Sequence, residues 1–398
     1  MDLGLIALIF TAALLGPALS LLTRGVVPVV VGQLLAGVIL GKTALQVVNP
    51  DKSDLALLYS LGFATLMFTV GMQVPLHDRR LRSALRRGLV AFLVAVPLSL
   101  AAGFGAHLIG GGPTLVYAVV LVSSSAAVAL SVIEESGLSG PAVLAGIAWI
   151  TIADILATVA IPLAITPRHA AHAALGALIV AALVAAVFIV AARLRRVALV
   201  QRIRKEGKRR SWAIDLRLAV IVLVALSFVA QKVGASLLVA GFGTGLVVGA
   251  IGGPKRLSQE VLGLGQGFLL PLFFVLLGAK LDMRALGSSP RAVIMAGALA
   301  AFAIAVHVLA SIAIRAPKAI GLLASAQLGV PAAVIALGLP AHAIDQAQAS
   351  AIFCAALASI GSTTAGVALL RAGGERAHAA TSPQETAAVA RQRPTRAR

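Results

Sequence analysis

Cysteine, aromatic residues and charge are all scarce. The chain of 398 residues has one cysteine, and only 14 of its side chains are acidic. A lone Cys354 excludes an internal disulfide or a cysteine metal cluster. Aromatic residues make up 4% and charged residues 12%, too little polar surface for a water-soluble particle of this length. Hydrophobic residues reach 60% and the mean hydropathy is +1.01. Most of the chain therefore belongs in lipid.

Thirteen apolar runs are long enough to cross a bilayer: 3–22, 26–41, 55–74, 88–110, 114–133, 141–165, 170–192, 214–231, 235–252, 267–282, 290–314, 317–339 and 345–370. Helices are expected, because lipid offers exposed backbone groups no partner. The first run follows "MDLG", with an acid where a signal peptide would be basic, and another span follows it directly, so it reads as a retained span. The formal net charge is +19, which raises the question of nucleic-acid binding. Placement answers it. All but seven of the 33 basic residues (Lys42, Lys52, Arg168, Lys232, Lys280, Arg284 and Arg291 are the seven) fall on one set of loops and the tail. The positive-inside bias then puts the N-terminus outside and the C-terminus in the cytoplasm of a cell (inner) membrane, and no nucleic-acid partner is needed.

The chain also resembles itself. "LLAGVILG" (34–41) matches "FGTGLVVG" (242–249), aligning Gly37 with Gly245 and Gly41 with Gly249; "LMFTVGMQVPLHDRRLR" (66–82) resembles "FFVLLGAKLDMRALG" (273–287), aligning Gly71 with Gly278. A shift of about 207 residues carries span 2 onto span 9, which is seven helices, so the two halves cross in opposite directions. Inverted repeats with interrupted helices and a midplane site are a transporter architecture. At this offset Ser123, Ser124 and Ser125 of span 5 fall on the region of Gly329 and Pro331 in span 12, and Asp154 falls on Ser362 of span 13. Serines compete for backbone groups and proline removes a donor, so both helices are expected to break there. Ordinary small-residue packing would account for any one glycine match alone.

Asp154 is the only acid in the middle of a span; the other thirteen lie in loops, tails or span ends. A charged Asp at a helix centre costs ~2.5–3.5 kcal/mol on insertion scales and usually marks an ion or proton path. The plainer alternative is a structural carboxyl kept protonated or bonded to a nearby hydroxyl. Deprotonated, the group binds a small hard cation; protonated, it releases it, so one site reached alternately from two sides suffices for exchange. Hard cations want oxygen ligands. Ser124, Ser125, carbonyls freed at the break and Thr151, three residues before Asp154, are the candidates, with back-bonding to their own helices as the competing role.

"VVPVVVGQLLAGVILG", "LMFTVGMQV", "LVSSSAAVALSVIEESGL", "IADILATVAIPL" and "PLFFVLLGAKLD" resemble, in this order, the monovalent cation:proton antiporter-2 family, over residues 5–370. The resemblance implies an all-α polytopic fold of about thirteen spans, two inverted repeats and discontinuous helices. It implies a scaffold (1–76 and 214–286) that dimerises, a moving core (88–165 and 290–370) and a linker helix (170–192). It matches Asp154 to the family's ion-binding aspartate and Ser125 to its Thr/Ser position on the broken helix. The partners implied are H⁺ and Na⁺ or K⁺, with no bound cofactor and no metal beyond the transported ion. Electrogenic members have two successive acids and electroneutral ones often Asn–Asp; here Ala153 precedes Asp154, which favours one cation per proton. Lys280 is then expected to snorkel at the membrane boundary rather than pair with the site. Potassium-efflux members end in a nucleotide-binding domain, whereas residues 371–398 offer a basic, polar tail expected to be disordered.

Lesser candidates remain. His307 in span 11 has an ordinary pKa near ~6.5 and suits pH modulation, although a neutral core histidine is the favoured reading. Gln327 beside the span 12 break can touch the site or merely bond between helices. Glu134 and Glu135 can draw cations to the entrance, or simply solvate a helix end. Residues 194–212 interleave basic and aliphatic side chains, as a lipid-surface segment or a solvated loop does. The rival function is a sodium-coupled solute symporter of related fold, which would want a second polar or aromatic cluster. An aspartyl intramembrane protease needs two acids at one site, and a channel needs a filter of carbonyls; neither is evident.

Overall fold

The computed structural model describes residues 3–372 except 24–26, 73–78, 137, 139, 166–169, 211, 252–259 and 261–262. The expected disordered tail beyond Ala372 and the side chains of Glu134 and Glu135 lie outside the described residues. Every regular element among the described residues is helical. Among the described residues nine stretches are long and apolar enough to cross a membrane, from Leu3–Leu22 to Gln346–Arg371. Three shorter apolar helices, Val29–Leu40, Leu237–Ala250 and Gly265–Lys280, and the split pair Thr114–Val122 and Ala126–Ser136 bring the crossings to thirteen, in the expected order. The polytopic all-α architecture follows.

Local chemistry explains the irregularities. Span 5 breaks at Ser123–Ser125, where Ser123 Oγ donates to Val120 O at 2.6 Å and ends the first half. Span 12 divides into Lys318–Ala324 and Gly329–Gly338, so its break covers residues 325–328 and precedes Gly329 and Pro331. Those two open the second half. Proline is tolerated there because the first turn's N–H groups have no intrahelical partner. Span 10 starts with a π-helical turn, Gly265–Leu269, just before Pro271. A proline cannot donate and clashes with the preceding turn, and such a turn absorbs the mismatch. Span 4 runs as Arg79–Gly110 through Pro97.

The repeat is visible in the packing. A Cβ on Gly37 of span 2 would run into the Val275 carbonyl of span 10, and one on Gly245 of span 9 into the Phe68 carbonyl of span 3. The offset of 207–208 residues maps Gly37 to Gly245 and Phe68 to Val275. Likewise Gly278 abuts the Leu34 carbonyl and Gly71 the Phe242 carbonyl. Spans 2 and 10 thus meet as spans 9 and 3 do, a pseudo-twofold exchange of partners in which only glycine lets the backbones touch. Spans 4, 5 and 6 pack among themselves and with spans 11, 12 and 13. Between the two groups runs an apolar seam, with Leu34, Leu277 and Leu281 on one side and Leu328, Pro331 and Phe353 on the other.

Candidate functional site

Asp154 lies in the middle of Pro141–Ile165, a helix flanked by both broken spans. Its side chain is buried at 8% exposure, and Oδ2 accepts a hydrogen bond from the Ala126 N–H at 3.2 Å. Ala126 is the first residue of the second half of span 5, so the carboxylate faces the N-terminus of a half-helix. The free N–H groups and the macrodipole favour negative charge at such a point.

The break in span 5 is held by the break in span 12. The Ser125 N–H donates to Ala326 O at 2.8 Å, and Ser124 Oγ donates to Ala324 O. Gln327 donates its backbone N–H to Ser359 Oγ at 3.1 Å and its side-chain amide to Ser123 O at 3.5 Å. The Ala324 carbonyl that ends Lys318–Ala324 and the Ala326 carbonyl within the break are thereby satisfied by the crossing chain, which permits non-helical backbone at this depth. Ser362, in span 13, shares a 2.6 Å hydrogen bond with Ser325 and donates to Ser359 O at 2.6 Å. The structure therefore gathers Asp154, Ser123, Ser124, Ser125, Gln327 and the 325–328 break around one crossing. Ser362 sits behind the break, braced against Ser325, and Gly329 and Pro331 follow it as the start of a half-helix.

The hydroxyls divide by what they already do. Thr151 Oγ1 donates to Ile147 O at 2.8 Å, Ser123 to its own helix and Ser124 to Ala324. The Ser125 and Thr158 hydroxyls make no hydrogen bond among the described residues, although both residues are buried, at 4% and 2% exposure. The sequence alone does not single out Thr158. The signal is available, since it stands four residues after Asp154 and shares its helix face. Ala153, fully buried, brings no second carboxylate.

Two further candidates stand apart from the crossing. His307 is buried against the Trp149 ring, with centroids 5.4 Å apart, and its Nδ1 bonds with Ala303 O at 2.8 Å. Lys280 is at the opposite end of the question. Its Nζ reaches Asp51 Oδ1 at 3.4 Å and lies 4.7 Å over the Tyr59 ring, while Lys42 takes the other Asp51 oxygen at 3.3 Å. The expected snorkelling lysine is thus a paired one, joined to the loop after span 2. Partial burial opposes the Asp51 charge, but Lys280 and Lys42 outweigh it and hold the carboxyl below its usual range. Among the described residues no group of three or more His, Cys, Asp or Glu side chains converges as a metal site. A cavity of about 160 Å³ beside Leu156, Ala157 and Ala160 is apolar save for Ser99 and does not reach Asp154.

Comparison with known proteins bears on this geometry. The family described as sodium/hydrogen exchanger, transmembrane, matches residues 7–371. YjbQ of Bacillus subtilis, provisionally named a Na⁺/H⁺ antiporter, is 25% identical over 294 residues, 70% of this chain and 47% of that protein. The Na⁺/H⁺ antiporter NhaS5 of Synechocystis is 27% identical over 275 residues, 65% of this chain and 37% of that protein. The matches span about half or less of the length of these two relatives. The solved structure of the sodium proton antiporter MjNhaP1 from Methanocaldococcus jannaschii superimposes with a TM-score of 0.56 at 18% identity, covering 94% of this chain and 98% of that one. This last likeness is one of fold.

Proposed function

Because the chain belongs to the sodium/hydrogen exchanger transmembrane family, a family of transporters rather than enzymes, we propose that it exchanges Na⁺ for H⁺ through Asp154. The observation that carries the reading is the single buried carboxylate at the crossing of two broken helices, facing a half-helix N-terminus. Ionised, Asp154 holds the cation together with the Ser125 and Thr158 oxygens; protonated, it gives the cation up. Proton and cation exclude each other from one group, so neither crosses without the other moving back. K⁺ is the alternative cargo, since the ligand types alone suit any hard monovalent ion.

Alternating access supplies the two sides. Spans 4–6 and 11–13 form the moving core; spans 1–3 and 8–10 form a scaffold that pairs with a second copy, and span 7 links them. The apolar seam between the groups supports this division, because it offers few directional bonds to break as one group slides along the other. The basic loops face the cytoplasm of the cell membrane. With Ala153 in place of a second acid, one proton is exchanged per cation and the cycle carries no net charge.

Purified protein in proteoliposomes with an internal pH dye tests both statements. External Na⁺ drives proton movement in wild type and none in Asp154→Asn, whose amide oxygen still accepts from Ala126. Wild-type rates from that variant overturn the assignment. An imposed membrane potential leaves rate and endpoint unchanged; a voltage-dependent endpoint overturns the stoichiometry.

A further inference from the structure

The segment between spans 7 and 8 plays no part in the exchange chemistry, yet residues 193–217 hold ten Lys and Arg against two acids, Glu206 and Asp215. Its centre is a helix, Ala198–Arg209. The segment is fastened on one flank. Arg195 donates to Ile251 O at the end of span 9, and Gln201 Nε2 donates to Arg195 O at 3.1 Å. Arg204 Nε donates to Asp215 Oδ1 at 2.8 Å. Gly207 is buried against Ile214, where a Cβ would crowd the side chain.

The other flank is open. Leu199 and Ile203, one turn apart, are 65% and 45% exposed, and Trp212 is 45% exposed. Arg202 and Lys205 lie on the same helix, exposed and with no ion-pair partner among the described residues. Arg209 and Arg210 share the single Glu206 carboxylate, and the Arg210 guanidinium lies 5.5 Å over the Trp212 ring.

An exposed aliphatic pair beside unpaired basic side chains is the composition of a helix that lies in a lipid interface. The position agrees, since the helix starts four residues after span 7 ends at Leu194 and stops five before span 8 begins at Ile214. We propose that this helix and Trp212 form a binding surface for anionic phospholipid. Leu199, Ile203 and Trp212 enter the boundary between headgroups and acyl chains, and Arg202 and Lys205 take the phosphates. The fastenings at Arg195 and Arg204 make the surface part of the rigid ends of spans 7, 8 and 9, so bound lipid steadies the linker.

The chain has two tryptophans, and Trp149 is fully buried, so the difference between wild type and Trp212→Phe isolates the Trp212 emission. The full chain is placed in phosphatidylcholine nanodiscs with and without phosphatidylglycerol. With the anionic lipid, Trp212 emission moves to shorter wavelength and is quenched by brominated acyl chains, and salt weakens both effects. Arg202→Gln with Lys205→Gln removes the phosphatidylglycerol-dependent part, while an unchanged Trp149 contribution shows the fold intact. Identical Trp212 emission in the two lipids, or a shift that persists in the double variant, overturns the proposal.

Discussion

Alanine at Gly37 puts a methyl group where the Val275 carbonyl already lies. Overpacking typically costs ~1–3 kcal/mol when side chains can move aside. Here the obstacle is backbone, so spans 2 and 10 must part, and the upper end of that range applies. The pseudo-twofold sharpens the expectation, because Gly245→Ala drives spans 3 and 9 apart against the equivalent Phe68 carbonyl and should lower the melting temperature alike. Combining Gly37→Ala with Gly245→Ala burdens two separate interfaces, and the losses add. Combining Gly37→Ala with Gly278→Ala burdens one interface, and once the helices part for the first methyl the second fits more easily, so the losses fall short of additive. Gly297→Ala is the control: nothing lies within 4 Å of a Cβ there, and alanine in mid-helix gains ~0.5–1 kcal/mol over glycine. Thermal unfolding of the detergent-solubilised variants reads all of these. A Gly37→Ala protein as stable as Gly297→Ala, or symmetry mates with opposite signs, refutes the packing.

Thr158→Val should raise the apparent KM for Na⁺ about fivefold, as expected for one lost ligand worth ~1 kcal/mol; Thr151→Val, whose hydroxyl is spent on Ile147 O, should change it far less, and dye-based exchange kinetics separate the two. Asp51→Asn tests the cluster of Asp51 with Lys42 and Lys280. A carboxyl held below its usual range stabilises the fold above its unfolded pKa and stops doing so as pH falls through the lower folded value, so the difference from wild type is present at neutral pH and fades below about pH 3.9. With the Asp51 side chain 57% exposed, the difference stays within ~1 kcal/mol in a melting series.

Much of this was legible because lipid constrains the chain so tightly. Apolar runs had to be helices, and Leu3–Leu22 or Pro141–Ile165 begin and end where composition changes. The pairs Gly37/Gly245 and Gly71/Gly278 disclosed the repeat because backbone contact tolerates no other residue. The sequence puts the break in span 12 a few residues too late, since Pro331 looks like an interruption while it sits in a first turn that needs no N–H. Lys280 found Asp51, 229 residues away in sequence, a pairing that only the fold brings about. Thr158 does not stand out in the sequence because a threonine in a helix is ordinary until its neighbours' hydroxyls prove to be occupied.

Proton release on cation binding bears most directly on Asp154. Detergent-solubilised protein in a weakly buffered, dye-containing solution near neutral pH receives a saturating pulse of Na⁺. The carboxylate account predicts release of at most one proton per chain, decreasing as the starting pH rises and the group is already ionised, and none from Asp154→Asn. Two protons per chain, or release that survives in Asp154→Asn, contradicts it.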